Sequence, residues 1–125
     1  MKEQLTSELM RQLQKGIEEF NAGRFFECHE ILEDAWHEVR GSGRDFFQGL
    51  IQIAVGFYHL GNQNLRGGRS QLEKGLCKLE KYGESHYGID LAGLRQGAAD
   101  WLEKVRTGAD LTAHVRDLPK IHFSA

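Results

Sequence analysis

Proline is nearly absent from this sequence: Pro119 stands alone among 125 residues. Because a proline ring breaks helix interiors, almost the whole chain is open to helix. Cysteine is scarce as well. Cys28 and Cys77 have neither C-x-x-C spacing nor the number that a disulfide framework needs. Two free thiols suit a reducing cytoplasm, and each is read as a small buried side chain, not a nucleophile. Charge of one sign is missing too: 16 basic and 18 acidic residues, well mixed, leave a net charge of -2. That excludes the clustered positive surface on which nucleic-acid binding depends. The longest uncharged apolar run, GLIQIAVGFYHLG at 49–61, is too short to span a bilayer and is interrupted by Gln52 and His59. The opening MKEQLTSELMRQLQKG lacks an apolar stretch of the signal-peptide kind, so no secretion signal is expected. No Ser-His-Asp order, phosphate loop or dinucleotide fingerprint occurs.

What is present is helical periodicity. Leu5, Leu9, Leu13, Ile17 and Phe20 step by four or three, predicting a first helix that stops near Gly23. Phe25, His29, Leu32, Trp36 and Val39 trace one face of a second, ending at GSG (41–43). A third runs from about Arg44 to Gly61. A fourth is marked by Leu72, Leu76, Leu79 and Tyr82, with Gly83 as its stop, and a fifth (about 90–107) follows Asp90 as N-cap. The tail, 108–125, reads as irregular, lying along the bundle or against a second copy in a homodimer. Short connections make these helices antiparallel neighbours. The fold expected is all-α, with about five helices packed as helical hairpins in a single compact domain spanning 1–125. F-x-x-G at 20–23 and Y-x-x-G at 58–61 are similar to the turns of tetratricopeptide hairpins, without a regular 34-residue period.

Chemistry concentrates in FFECHEILEDAWHEV, residues 25–39. His29 and Glu33 are four apart and share a face, with Trp36 a turn further on. On the third helix Gly49, Gln52, Gly56 and His59 occupy about a quarter of the circumference. Missing side chains there would let Gln52 and His59 approach the second helix. Three readings follow. His29, Glu33, Trp36, Gln52 and His59 form a buried polar network that satisfies itself. Alternatively His29, Glu33 and His59 hold a divalent metal, with Glu30 or Gln52 as the catalytic group that orients a water. Or the same face is a metal-free ligand pocket. The H-E-x-x-E pattern departs from the H-E-x-x-H of zinc proteases in its last ligand. Lys74, Lys78 and Lys81 read as a solvated face of the fourth helix, and His86, His114 and His122 as exposed.

FNAGRFFECHEILEDAW, FFQGLIQIA and YHLGNQNLRGG together resemble a family of small bacterial and archaeal proteins catalogued as domain of unknown function 309. The resemblance covers about 20–82. It implies packed helical hairpins and family motif positions at Phe20, Gly23, His29, Glu30, Glu33, Trp36, Gln48, Gly49, Gln52, His59, Asn64 and Gly67. Members are sometimes labelled predicted metal-dependent hydrolases. Gly68 departs from the alanine expected in that motif.

Overall fold

A computed structural model describes residues 5–124; Met1–Gln4 of the opening stretch and Ala125 of the tail lie outside the described residues. Five α-helices follow one another: α1 (Ser7–Asn21), α2 (Phe25–Glu38), α3 (Gly43–Gly61), α4 (Leu65–Leu79) and α5 (Leu91–Thr107). Two 3-10 segments, Glu80–Tyr82 and Leu111–Asp117, add to the five helices that the periodicity marks. The helix ends follow local chemistry. Thr6 accepts the Leu9 N–H at 3.1 Å, Asn64 accepts that of Gly67 at 2.9 Å, and Asp90 accepts that of Gly93 at 2.9 Å. Each satisfies a donor that a helix start leaves free. The Asn64 cap starts α4 a full two turns before Leu72. Gly108, at φ 73°, closes α5 in the left-handed conformation that glycine adopts freely.

The helices stack in chain order, α1 on α2, α2 on α3, α3 on α4 and α4 on α5. Hairpins α1–α2 and α3–α4 are one unit used twice, 40 residues apart. In the first turn the N–H groups of Ala22, Gly23 and Arg24 donate to the carbonyls of Glu18, Phe20 and Glu19. In the second, Asn62, Gln63 and Asn64 donate to Tyr58, Leu60 and His59. Gly23 (φ 79°) and Gln63 (φ 62°) fill the same left-handed position, so Gly23 matches Gln63 and not the Gly61 that the F-x-x-G/Y-x-x-G alignment suggests. A glycine in each first helix receives a leucine from each second helix. A Cβ on Gly16 would lie 2.6 Å from Leu32, and one on Gly56 2.8 Å from Leu72. The core runs through both units, with Leu13, Ile17, Phe20 and Leu32 joined to Phe46, Leu50, Phe57 and Leu72.

Two short strands, Ser85–His86 and Ile89–Asp90, form an antiparallel hairpin that the periodicity does not mark, because two residues a strand leave no alternation to see. Its turn takes positive φ at Tyr87 and Gly88, the primed geometry that matches strand twist. The end of the tail pairs on Ile89 through Phe123, so the tail lies along the bundle. Among the described residues no helix is long and apolar enough to cross a membrane.

Candidate functional site

The polar residues of α2 and α3 divide between two flanks. Ring contacts set the antiparallel register of these helices: Phe25 stacks on Phe57 at 5.4 Å and Phe26 meets Tyr58 at 5.4 Å. At the other end the Arg44 guanidinium sits 3.9 Å over the Trp36 ring. His29 and Glu33 lie between these anchors, with His29 Nε2 2.7 Å from Glu33 Oε2 and the side chains 27% and 47% exposed. The pair is half-wet. Beside it, the His29 ring stands 5.6 Å from Phe26. Glu30 is exposed on the outer side of the helix.

Gln52 and His59 share α3 with Gly49 and Gly56. These two glycines turn toward α4, where their missing side chains receive Leu79 and Leu72, each 2.8 Å from a notional Cβ. In return Gly68 and Gly75 of α4 receive Leu60 and Ile53. The glycine face expected to open α3 toward His29 is therefore the α3–α4 seam. A helical wheel shows which residues share a face but not which neighbour that face meets. The same seam accounts for Gly68 in place of alanine, since a Cβ there would come within 2.4 Å of Leu60. His59 Nδ1 lies 3.4 Å from the Asn64 amide across the α3–α4 turn. Gln52 Oε1 and Trp36 Nε1 are buried and have no hydrogen-bond partner among the described residues. Of the five network positions, the fold brings together His29 and Glu33. Among the described residues no group of three or more His, Cys, Asp or Glu side chains is placed to hold a metal ion.

The repeat explains both polar pairs. Forty residues beyond His29–Glu33 stands Arg69–Glu73, an i,i+4 ion pair at 3.7 Å on α4. Forty residues before His59–Asn64 stands Glu19–Arg24, which spans the α1–α2 turn through two hydrogen bonds, one of them at 3.2 Å. The Arg24 guanidinium holds the Glu19 carboxyl below its ordinary value of 4.5. Position by position, each hairpin carries a latch across its turn and a strut along its second helix.

Arg44 is a functional neighbour that periodicity missed. Besides covering Trp36 it donates to the Trp36 and Val39 carbonyls, both at 3.2 Å, closing the end of α2. Charge-assisted bonds of this kind satisfy carbonyls that a helix end leaves free. One of the two thiols departs from the buried state expected of both. Cys28 is buried and its pKa is pushed up to about 12, chiefly by burial, whereas Cys77 is exposed. His86, expected in solvent, packs between Phe46, Tyr82 and Tyr87 at ring separations of 5.0, 4.7 and 4.2 Å. His114 leans on Trp101 at 6.4 Å. Lys81 pairs with Asp45 rather than standing free.

An apolar cavity of about 530 Å³ lies at the end of the bundle where α2 begins and α3 stops. The rings of Phe25, Phe26, Phe57, Tyr58 and Trp101 line it, together with the C-terminal 3-10 segment. Phe26 and Tyr58 are 42% and 37% exposed. Its sequence signal was two adjacent aromatic pairs, Phe25–Phe26 and Phe57–Tyr58, at facing helix ends.

A family model described as Domain of unknown function (DUF309) matches residues 13–71. That segment includes most of the first hairpin, all of α3 and the start of α4. An uncharacterized protein of Bacillus subtilis (strain 168), YpuF, is 37% identical over 81 residues, covering 63% of this chain and 45% of the relative. A second uncharacterized protein, from Aquifex aeolicus (strain VF5), is 26% identical over 90 residues, 71% of this chain and 26% of the relative. The chain thus spans less than half the length of the curated relatives it matches.

Proposed function

From the match of residues 13–71 to the DUF309 family model, we propose that the chain is a helical-hairpin interaction module whose His/Glu motif stiffens the hairpins instead of performing catalysis. The repeat carries this reading. At the positions equivalent to His29 and Glu33, α4 has Arg69 and Glu73. An arginine stays protonated and presents donors alone, so it does not ligate a metal. What the two hairpins share is a nitrogen-to-carboxylate strut at i,i+4, worth about 0.3–1 kcal/mol at such exposure. His59 with Asn64 is the counterpart of the Glu19–Arg24 latch. With those residues engaged within the fold, the exposed aromatic pair Phe26–Tyr58 is left to face a partner.

The alternative is a hydrolase in which His29, Glu33 and His59 hold a divalent ion while Glu30 or Gln52 orients water. It draws on the His29–Glu33 contact alone. Copying the second hairpin into the first separates the two. Under the strut reading His29→Ala lowers stability by about 0.5–1 kcal/mol and His29→Arg restores it. Purified protein then melts identically with and without chelator. Stoichiometric metal that is lost in His29→Arg, with a chelator-dependent fall in melting temperature, would overturn the module.

A further inference from the structure

The second helix carries five acids, Glu27, Glu30, Glu33, Asp34 and Glu38, and no lysine or arginine. Of these, Glu33 alone has an ion-pair partner among the described residues, His29. Glu27, Glu30, Asp34 and Glu38 are exposed. The fold does not ask for them. At the positions 40 residues on, α4 has Gly67, Ser70, Lys74 and Lys78, neutral or of opposite sign. The helix packs equally well on its neighbour without acids, so their density on α2 serves something outside the hairpin.

The acidic side runs into the apolar cavity. Phe26 and Glu27 both line it, and Phe26, Glu30 and Glu33 follow at i, i+4 and i+7, one exposed stripe along α2. Exposed rings beside a cavity lined by Phe25, Phe57 and Trp101, with the exposed carboxylates of Glu27 and Glu30 within the next turn, select a partner by two chemistries at once. Apolar side chains fill the cavity, and cations face the carboxylates. An amphipathic helix with an apolar anchor and Lys or Arg on its flanks satisfies both. Nucleic acid and acidic peptides are repelled by the same carboxylates.

We infer that the groove between the start of α2 and the end of α3 is the docking site for a basic amphipathic segment of a partner protein, its apolar anchor against Phe26 and Tyr58 and its cations on Glu27 and Glu30. This rests on the interaction-module reading and deepens it.

The probe is a synthetic amphipathic helix of leucine and lysine, titrated into the full chain by calorimetry. An analogue with glutamate for every lysine serves as control. The lysine peptide is expected to bind and the glutamate peptide to fail. Phe26→Ala should weaken binding at least tenfold, and so should the double reversal Glu27→Lys with Glu30→Lys. Raising the salt severalfold should weaken it in the unaltered chain, as screening shortens the reach of the carboxylates. All three positions are exposed, so unchanged melting curves identify the loss as one of binding. Equal binding of the two peptides, or lysine-peptide binding that survives both variants, would sink the inference. So would a self-association seen by sedimentation that Phe26→Ala abolishes, since the occupant would then be a second copy. A failed titration leaves the His29→Arg comparison intact, so the groove falls without the module.

Discussion

Among the described residues Glu19 is the charged side chain that the core encloses, at 8% exposure. It sits one turn before the left-handed Gly23 and holds Arg24 on the far side of the turn. Its pKa is depressed, first by the hydrogen bond from Arg24. A depressed carboxyl contributes stability that is present above its unfolded value, near 4.5, and is lost as pH falls through the lower folded value. Asp45, held down by Lys81, and Glu73, held down by Arg106, work in the same sense. Urea midpoints followed from about pH 6 to about pH 3 should therefore fall on acidification. In Glu19→Gln the fall should be shallower, with the residual slope due to Asp45 and Glu73. An acid limb identical in variant and parent would show that the latch contributes no pH-dependent stability. The counterpart latch, His59 with Asn64, pairs an imidazole with an amide and contains no carboxylate to titrate on this limb.

At the scale of elements, the helices and their order of stacking are legible in the sequence, and the face that each turns to a given neighbour is not. Thr6, Asp90 and Gly108 punctuate where their chemistry says they should, and apolar steps of three and four give each helix its core face. The repeat stays hidden because only four identities survive between the two hairpins, Gln12 with Gln52, Gly16 with Gly56, Leu32 with Leu72 and Glu33 with Glu73. Only the shared turn bonds reveal the 40-residue spacing. The glycines misled for a related reason. Gly49 and Gly56 were rightly read as points of close approach, but the neighbour that approaches is α4, because the four-glycine seam of Gly49, Gly56, Gly68 and Gly75 is complementary to Leu79, Leu72, Leu60 and Ile53. Position 75 tests how close that approach is. Its counterpart in α2 is Ala35, fully buried and tolerated, whereas a Cβ on Gly75 would lie 2.9 Å from the Gly49 carbonyl oxygen. Backbone cannot step aside as a leucine tip can. Gly75→Ala is expected to lower stability by about 1–3 kcal/mol through overpacking, despite the roughly 1 kcal/mol that alanine adds to helix propensity. Chemical denaturation of the variant decides it; equal or higher stability would mean that α3 and α4 separate without loss.

For the whole molecule, the question is what closes a stack of hairpins whose last helix would otherwise present Trp101 to water. The tail does. Trp101 Nε1 donates to the Asp117 carbonyl at 3.1 Å, and Ile121 is buried at 2% exposure. Asn21, at the end of α1, grips Ile121 from both sides. Its carbonyl accepts the Ile121 N–H at 2.7 Å and its amide donates to the Ile121 C=O at 2.9 Å, joining residues 100 apart in the chain. Beyond this grip the chain pairs with the hairpin, Asp90 N–H to the His122 carbonyl and Ser124 N–H to that of Gly88, both at 2.8 Å. No periodicity marks this strap in the sequence, since its contacts are single residues spaced by the geometry of the surface they cross. Asn21→Ala removes both bonds and leaves buried backbone groups of Ile121 without partners, which should lower stability by about 1–3 kcal/mol. Local opening should exceed the global effect. Amide exchange at Ile121, Asp90 and Ser124 is expected to accelerate well beyond exchange in α2 and α3, and the cavity that the strap borders should admit an apolar dye more readily. Uniform acceleration along the chain would instead make the tail an integral part of the fold, opening only when the hairpins themselves unfold.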